Sequence, residues 1–146
     1  MINVGIIGSG FIGPAHIEAL RRLGNINVVA LCDSTLEKAQ AQAAQLHVPH
    51  AYGDVVTFLQ HPDLHAVHNC TPNHLHATIN KQVLLAGKHL FSEKPLCMTM
   101  GEARELVALA EQAGVVNGVS FVYRQFAMVQ QAASMVRSGE TGRTFA

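Results

Sequence analysis

One stretch limits what this chain can fold into more than any other. A short apolar run, Ile2 to Ile7, breaks directly into the spaced glycines Gly8-Ser9-Gly10-Phe11-Ile12-Gly13. The run reads as a buried strand, and Ala15 to Leu23 after it reads as a helix. In that setting Gly8 permits a sharp turn and Gly10 lets the backbone approach a pyrophosphate. Gly13 lets the helix pack close to the strand. The free N–H groups and positive dipole end of the helix would then face phosphate oxygens. Phe11 and Ile12 belong to the same turn. An ordinary strand–helix turn would use such glycines too, so the flanks and a correctly spaced carboxylate matter.

That carboxylate is Asp33. It ends a second apolar run, Asn27 to Cys32, and lies 20 residues past Gly13, where a ribose-binding acid belongs. It also precedes the helix expected over Thr35 to Leu46, so a helix N-cap is its competing role. A carboxylate accepts from the ribose hydroxyls and repels a 2′-phosphate, which favours NAD over NADP. Lys38, one turn later, would soften that exclusion.

The rest of the chain alternates. Pro49 to Tyr52 reads as an edge strand, Asp54 to Gln60 as a helical turn, and Ala66 to Cys70 as a fourth strand. Thr71-Pro72-Asn73-His74-Leu75-His76 leads into a helix ending at Ala86, with Gly87 as its C-terminal stop. His89 to Ser92 is a fifth strand running into Glu93-Lys94-Pro95. Thr99 and Glu102 form a capping box for a helix over Gly101 to Ala113. Val115 to Val122 is a sixth strand. Strands separated by helices imply an α/β fold, with a doubly wound, mostly parallel sheet of the Rossmann dinucleotide-binding type. Phe126, Val129, Ala133 and Val136 recur at helical spacing, predicting an amphipathic helix over Phe126 to Ser138. Arg143 to Ala146 reads as the start of another strand. An element that begins without finishing suggests a part of something longer. The expected division is a cofactor domain over 1–125, with 126–146 as a linking helix and the start of a second domain.

Composition excludes several classes. Ten acidic residues balance ten basic ones in 146, with no basic patch for nucleic acid and no charged tail. The glycines interrupting the first apolar run exclude a spanning helix, and the strand begins too early to leave room for a signal peptide. Cys32, Cys70 and Cys97 are odd in number and lack Cys-x-x-Cys spacing, which fits reduced thiols in the cytoplasm. Nine histidines raise a metal reading. However, Pro62 breaks any helix through His61 and His65, His68 lies in a strand, and no ligand set reaches zinc-like spacing, so no metal is expected. Cys97 and the Met98-x-Met100 pair read as packing residues.

Gly8-Ser9-Gly10-Phe11-Ile12-Gly13, Cys70-Thr71-Pro72-Asn73-x-x-His76, Ala86-Gly87-Lys88-His89, Glu93-Lys94-Pro95-Leu96 and Tyr123-Arg124 follow one another in that order. This series resembles the N-terminal half of the Gfo/Idh/MocA oxidoreductase family, over residues 2 to 142. The resemblance implies hydride transfer between NAD or NADP and a hydroxyl carbon of a sugar, cyclitol or related small molecule. It also implies a homo-oligomer, and a second domain carrying substrate contacts that is not in this sequence. Turnover by this stretch alone is therefore not expected.

Lys94, at the end of the fifth strand, is the candidate acid–base group. A lysine suits removal of a hydroxyl proton when burial or a nearby positive charge lowers its pKa. A solvated lysine before a turn proline is the alternative. The resemblance favours catalysis, with a cis Lys94–Pro95 bond often seen in the family. Glu93 would orient or charge-pair its neighbours, or be a plain surface carboxylate. Thr71, Pro72 and Asn73 would line the cofactor groove. His76 would touch the cofactor ribose or simply pack on its helix. Arg124 resembles a family arginine near the nicotinamide, or anchors the sheet edge. The other function class is a non-catalytic dinucleotide-binding or redox-sensing module.

Overall fold

The computed structural model describes residues 1–143. The elements are β1 (Ile2–Ile7), α1 (Gly13–Arg21), β2 (Ile26–Cys32), α2 (Leu36–Gln45), β3 (His50–Tyr52) and α3 (Val55–Leu59). They continue as β4 (Ala66–Asn69), α4 (His76–Leu85), β5 (His89–Ser92), α5 (Met100–Ala113), β6 (Asn117–Val119) and α6 (Ala127–Ser138). Short 3-10 turns cover Asn73–Leu75 and Val122–Gln125.

All six strands are parallel, in the order β3-β2-β1-β4-β5-β6. The order reverses direction beside β1, so a crevice opens between the ends of β1 and β4, where open α/β sheets bind ligands. The alternation of side chains along the strands feeds two cores. Val4, Ile6 and Leu31 join Ile17 and Leu20 of α1 and Ala39 and Ala43 of α2 in one. Ile7, Ala30, Cys32 and Val67 join Phe58, Ile79, Val83 and Leu106 in the other.

Helix ends follow local chemistry. The Thr99 hydroxyl accepts from the Glu102 N–H while the Glu102 carboxylate accepts from the Thr99 N–H, the expected capping box. Thr35, rather than Asp33 or Ser34, caps α2: its hydroxyl accepts from the Lys38 N–H at 3.2 Å. The carboxylate of Asp33 is thereby left for other partners.

The chain departs from expectation at its far end. The sixth strand is three residues long, because the chain turns out of the sheet into the 3-10 turn at Val122. Met98 and Met100 are exposed rather than packed, on either side of the Thr99 cap at the start of α5. Phe126, Met128, Val129 and Val136 are all exposed, and α6 packs chiefly against the 3-10 turn before it. The strand expected to start at Arg143 lies, from residue 144 on, outside the described residues.

Candidate functional site

A cavity of about 610 Å³ opens at the C-terminal ends of β1, β2 and β4. Its walls are the Gly8–Ile12 turn, Asp33 and Ser34 with Lys38, and Cys70 to Pro72 with Ile79. The glycines explain its shape. Gly8 has φ +94°, donates to the Cys32 carbonyl at 2.9 Å, and would bring a Cβ within 2.7 Å of the Cys70 carbonyl oxygen. A Cβ on Gly13 would strike the Gly8 carbonyl. One on Gly10 would meet nothing within 4 Å, and so would stand in the open groove itself. A turn closed behind and clear in front fits a pyrophosphate at the start of α1, with Gly10 facing it.

Asp33 sits opposite that turn and is nearly buried. One carboxylate oxygen accepts from the Ser9 N–H at 2.9 Å and from the Ser9 hydroxyl. The other accepts from the Ser34 N–H at 2.6 Å, the Ser34 hydroxyl at 3.1 Å and the Lys38 ammonium at 2.7 Å. Burial alone would raise its pKa. The donations from Lys38, Ser9 and Ser34 outweigh that and hold it well below the ordinary carboxylate range. Asp33 is thus a fixed, charged acceptor at the cavity wall. Cys32 and Cys70, also on the wall, are thiols pushed up to about 12, first by burial and then by nearby carboxylates. They act there as apolar surface.

Gly8, Gly10, Phe11, Ile12, Asp33, Thr71 and Pro72 line the cavity; Gly13, Asn73, His76, Glu93, Lys94 and Arg124 do not. Lys94 is exposed just beyond β5, and its bond to Pro95 is cis, as expected. Glu93 is buried instead of being a surface carboxylate. It receives His16 Nε2 at 3.1 Å and the Lys94 N–H at 3.1 Å. Burial would raise its pKa, but hydrogen bonds from Ser120, His16 and Lys94 bring it below the usual value. His16 Nδ1 in turn lies 2.9 Å from His68 Nδ1. Burial and then the neighbouring His16 lower His68 from 6.5 to about 4, so it is neutral. Asn73 and Arg124 are exposed, each on a 3-10 turn. His76 is fully buried, with both ring nitrogens on backbone carbonyls. Among the described residues, no group of three or more His, Cys, Asp or Glu could hold a metal ion.

Sequence reasoning missed Ser9, which is buried against Asp33, and the polar pair His68 and Asn69 in the interior strand β4. Their signal was available: polar residues inside a run that otherwise reads as a buried strand require partners.

Sequence comparison agrees with the geometry. The oxidoreductase family with an NAD-binding Rossmann fold, Gfo/Idh/MocA, matches residues 2–121. The chain belongs to that family. Residues 2–121 carry that family's NAD-binding Rossmann fold. Levoglucosan dehydrogenase of Pseudarthrobacter phenanthrenivorans is 32% identical, with 97% of this chain aligned to 38% of that protein. The crystal structure of an NAD binding oxidoreductase from Klebsiella pneumoniae superposes with a TM-score of 0.89 at 34% identity, covering 97% of this chain and 40% of that one. A levoglucosan dehydrogenase in complex with NADH gives 0.89 at 31% identity, with the same coverage. The chain therefore spans about two fifths of the length of the proteins it matches. No helix among the described residues is long and apolar enough to cross a membrane.

Proposed function

We propose that residues 1–125 hold NAD in the cavity beside the Gly8–Gly13 turn, as the cofactor part of a dehydrogenase acting on a sugar, cyclitol or related polyol. Residues 126–146 would lead into a substrate-binding domain. The observation that carries this reading is Asp33. It is a buried, charged carboxylate on the cavity wall, facing a glycine turn that leaves room for phosphates. Gly8, Gly10, Phe11, Ile12 and Gly13 would form the pyrophosphate turn, Asp33 would accept from the adenosine ribose, and Thr71, Pro72 and Asn73 would flank the nicotinamide side. When bound, NAD would supply the hydride acceptor or, once reduced, the donor. Lys94 would take the hydroxyl proton on oxidation and return it on reduction, with Glu93 holding its backbone and Arg124 near the nicotinamide. We place the protein in the cytoplasm, where the free thiols of Cys32, Cys70 and Cys97 persist. We expect a homo-oligomer.

Asp33 favours NAD, while the Lys38 ammonium 2.7 Å away offsets part of its repulsion of a 2′-phosphate. Titration of NADH and NADPH by fluorescence at one ionic strength tests the assignment. Binding of neither would overturn it. A second reading, a non-catalytic dinucleotide module, draws on the exposure of Lys94 and Arg124 away from the cavity. A panel of polyols assayed with NAD, using Lys94→Ala as the blank, separates the two readings. This chain is expected to bind NADH without appreciable turnover, because positioning a substrate accounts for roughly 7–11 kcal/mol of barrier. Lys94-dependent turnover at ordinary enzyme rates would show that the substrate site lies within these residues.

A further inference from the structure

Four side chains on two strands and one helix form a buried polar chain beneath the candidate site. Asn69, Asn80 and Ser92 are fully inaccessible to solvent, and His76 is 1% exposed. His76 and Asn80 lie one turn apart on α4 with Ile79 and Val83, so two polar groups interrupt an otherwise apolar buried face. Such groups are costly to bury unless every one finds a partner. Each does, and the partners are informative.

The His76 ring lies between two backbone carbonyls, with Nε2 2.7 Å from that of Thr71 and Nδ1 2.5 Å from that of Pro95; a neutral ring donates to one of them, and a doubly protonated ring donates to both. Thr71 belongs to the loop lining the cavity, and Pro95 directly follows Lys94. One turn on, Asn80 donates to the Ser92 hydroxyl at 2.9 Å and to the Leu96 carbonyl at 3.3 Å. Asn80 also accepts from Asn69 at 2.9 Å. The Asn69 side-chain amide oxygen accepts from the Thr71 N–H at 3.2 Å and its hydroxyl at 2.7 Å. The segment 92–96 therefore meets one face of α4 at three points, and the loop at Thr71 meets it directly through His76 and indirectly through Asn69 and Asn80.

We propose that His76 is a positioning residue that fastens the turn bearing Lys94 to the loop lining the cofactor groove, and so sets the nicotinamide end of the site without touching the cofactor. The ring is too buried to reach a ligand, and a packing role would not require both nitrogens to face carbonyl oxygens. The proposal rests on the cofactor reading given above. It makes a distinction that general destabilisation does not. The Gly8–Gly13 turn and Asp33 hold the ADP portion and lie outside this network, so loss of His76 affects one end of the dinucleotide only.

The test compares NADH, measured by fluorescence, with ADP, measured by calorimetry, in the wild-type chain, His76→Phe and His76→Gln. His76→Phe is expected to weaken NADH about tenfold relative to ADP, the scale of one or two net hydrogen bonds. His76→Gln, whose amide can donate to one or both carbonyls, is expected to recover most of that loss. Equal weakening of NADH and ADP, or no weakening, overturns the proposal while leaving the cofactor reading intact. A wild-type chain that binds ADP and NADH at no measurable affinity overturns the cofactor reading, and the proposal with it. Proton NMR of the wild type at pH 6 gives an answer even if His76→Phe fails to fold. A ring that holds both carbonyls shows two ring N–H protons protected from exchange, whereas one or none means that the ring does not hold both and the proposal fails.

Discussion

The two ends of the crevice are built differently. At the β1–β2 end, Asp33 is buried and receives Ser9, Ser34 and Lys38, and the glycine turn admits no added Cβ at Gly8 or Gly13. That end holds its charged acceptor within the first forty residues and is closed behind the turn by Cys70. At the β5–β6 end the backbone is equally well tied, through Glu93, Asn80 and His76, but the groups expected to do chemistry are exposed. Lys94 and Arg124 face solvent, as do Tyr123, Phe126 and Met128 beyond them. The difference separates two tasks. Binding an invariant dinucleotide requires a rigid, self-sufficient wall, whereas acting on a substrate requires groups left accessible to it.

The largest test strikes the rigid end. Gly8→Ala places a methyl 2.7 Å from the Cys70 carbonyl oxygen at a φ of +94°. The collision is with backbone, so relief must come from moving β4 or the turn. A destabilisation of about 3 kcal/mol in urea unfolding is expected, with NADH binding lost. Retention of both stability and binding would show that the turn is far more pliant than the geometry allows.

Next in size is a pH effect from the tied backbone of the other end. His68 is held near 4 in the fold against 6.5 when free. The unfolded chain therefore binds the proton more readily than the folded chain, and stability falls as pH drops from about 6.5 to 4. The loss from His68 reaches about 3 kcal/mol at most. His61, also lowered by burial, adds in the same direction. Glu93 contributes only below its ordinary 4.5, where its stabilisation disappears. Unfolding curves at pH 7, 5.5 and 4.5 for wild type and His68→Leu measure it. The variant is expected to show a shallower slope, and an unchanged slope would mean that His68 is protonated in the fold.

Asp33→Ala is smaller again. Losing the charged acceptor proposed for the ribose hydroxyls is expected to cost about 1.5–3 kcal/mol of NADH affinity, while NADPH, relieved of repulsion, is expected to bind no worse. Lys38→Ala should act oppositely on selectivity, widening the preference for NADH. Parallel losses for both cofactors in Asp33→Ala would make the carboxylate a purely structural partner of Ser9 and Lys38.

These tests also show which features were legible in the sequence. The strands β1 and β2 were visible because buried parallel strands read as continuous apolar runs, and Asp33 because its distance from the glycines is fixed by one strand–helix–strand unit. Thr35 displaced Asp33 as the helix cap because a strand-end carboxylate with better donors in space does not serve its own helix. His76 was read as a cofactor contact or a packing residue. Its actual partners, the Thr71 and Pro95 carbonyls, lie 5 and 19 residues away, and no periodicity reports them. Met98 and Met100 were misplaced because two methionines before a helix carry no facial pattern. Long-range polar pairing is the part of this site that one sequence does not display.

The smallest expected effect is the one that most sharpens the contrast between the two ends. Lys94→Ala removes an exposed side chain that makes no hydrogen bond or ion pair to any described residue. The contacts of residue 94 run through its backbone, whose N–H donates to Glu93 at 3.1 Å, and alanine keeps them. Stability should therefore change by no more than about 0.5 kcal/mol, the usual range for a surface substitution. An acid–base lysine contributes nothing to holding the fold, so near-silence in urea unfolding is what its proposed role requires. A loss above 1 kcal/mol would show that the ammonium has a structural partner in solution. Lys94 would then belong with the buried network of Glu93 and His76 rather than with the open, chemical side of the crevice.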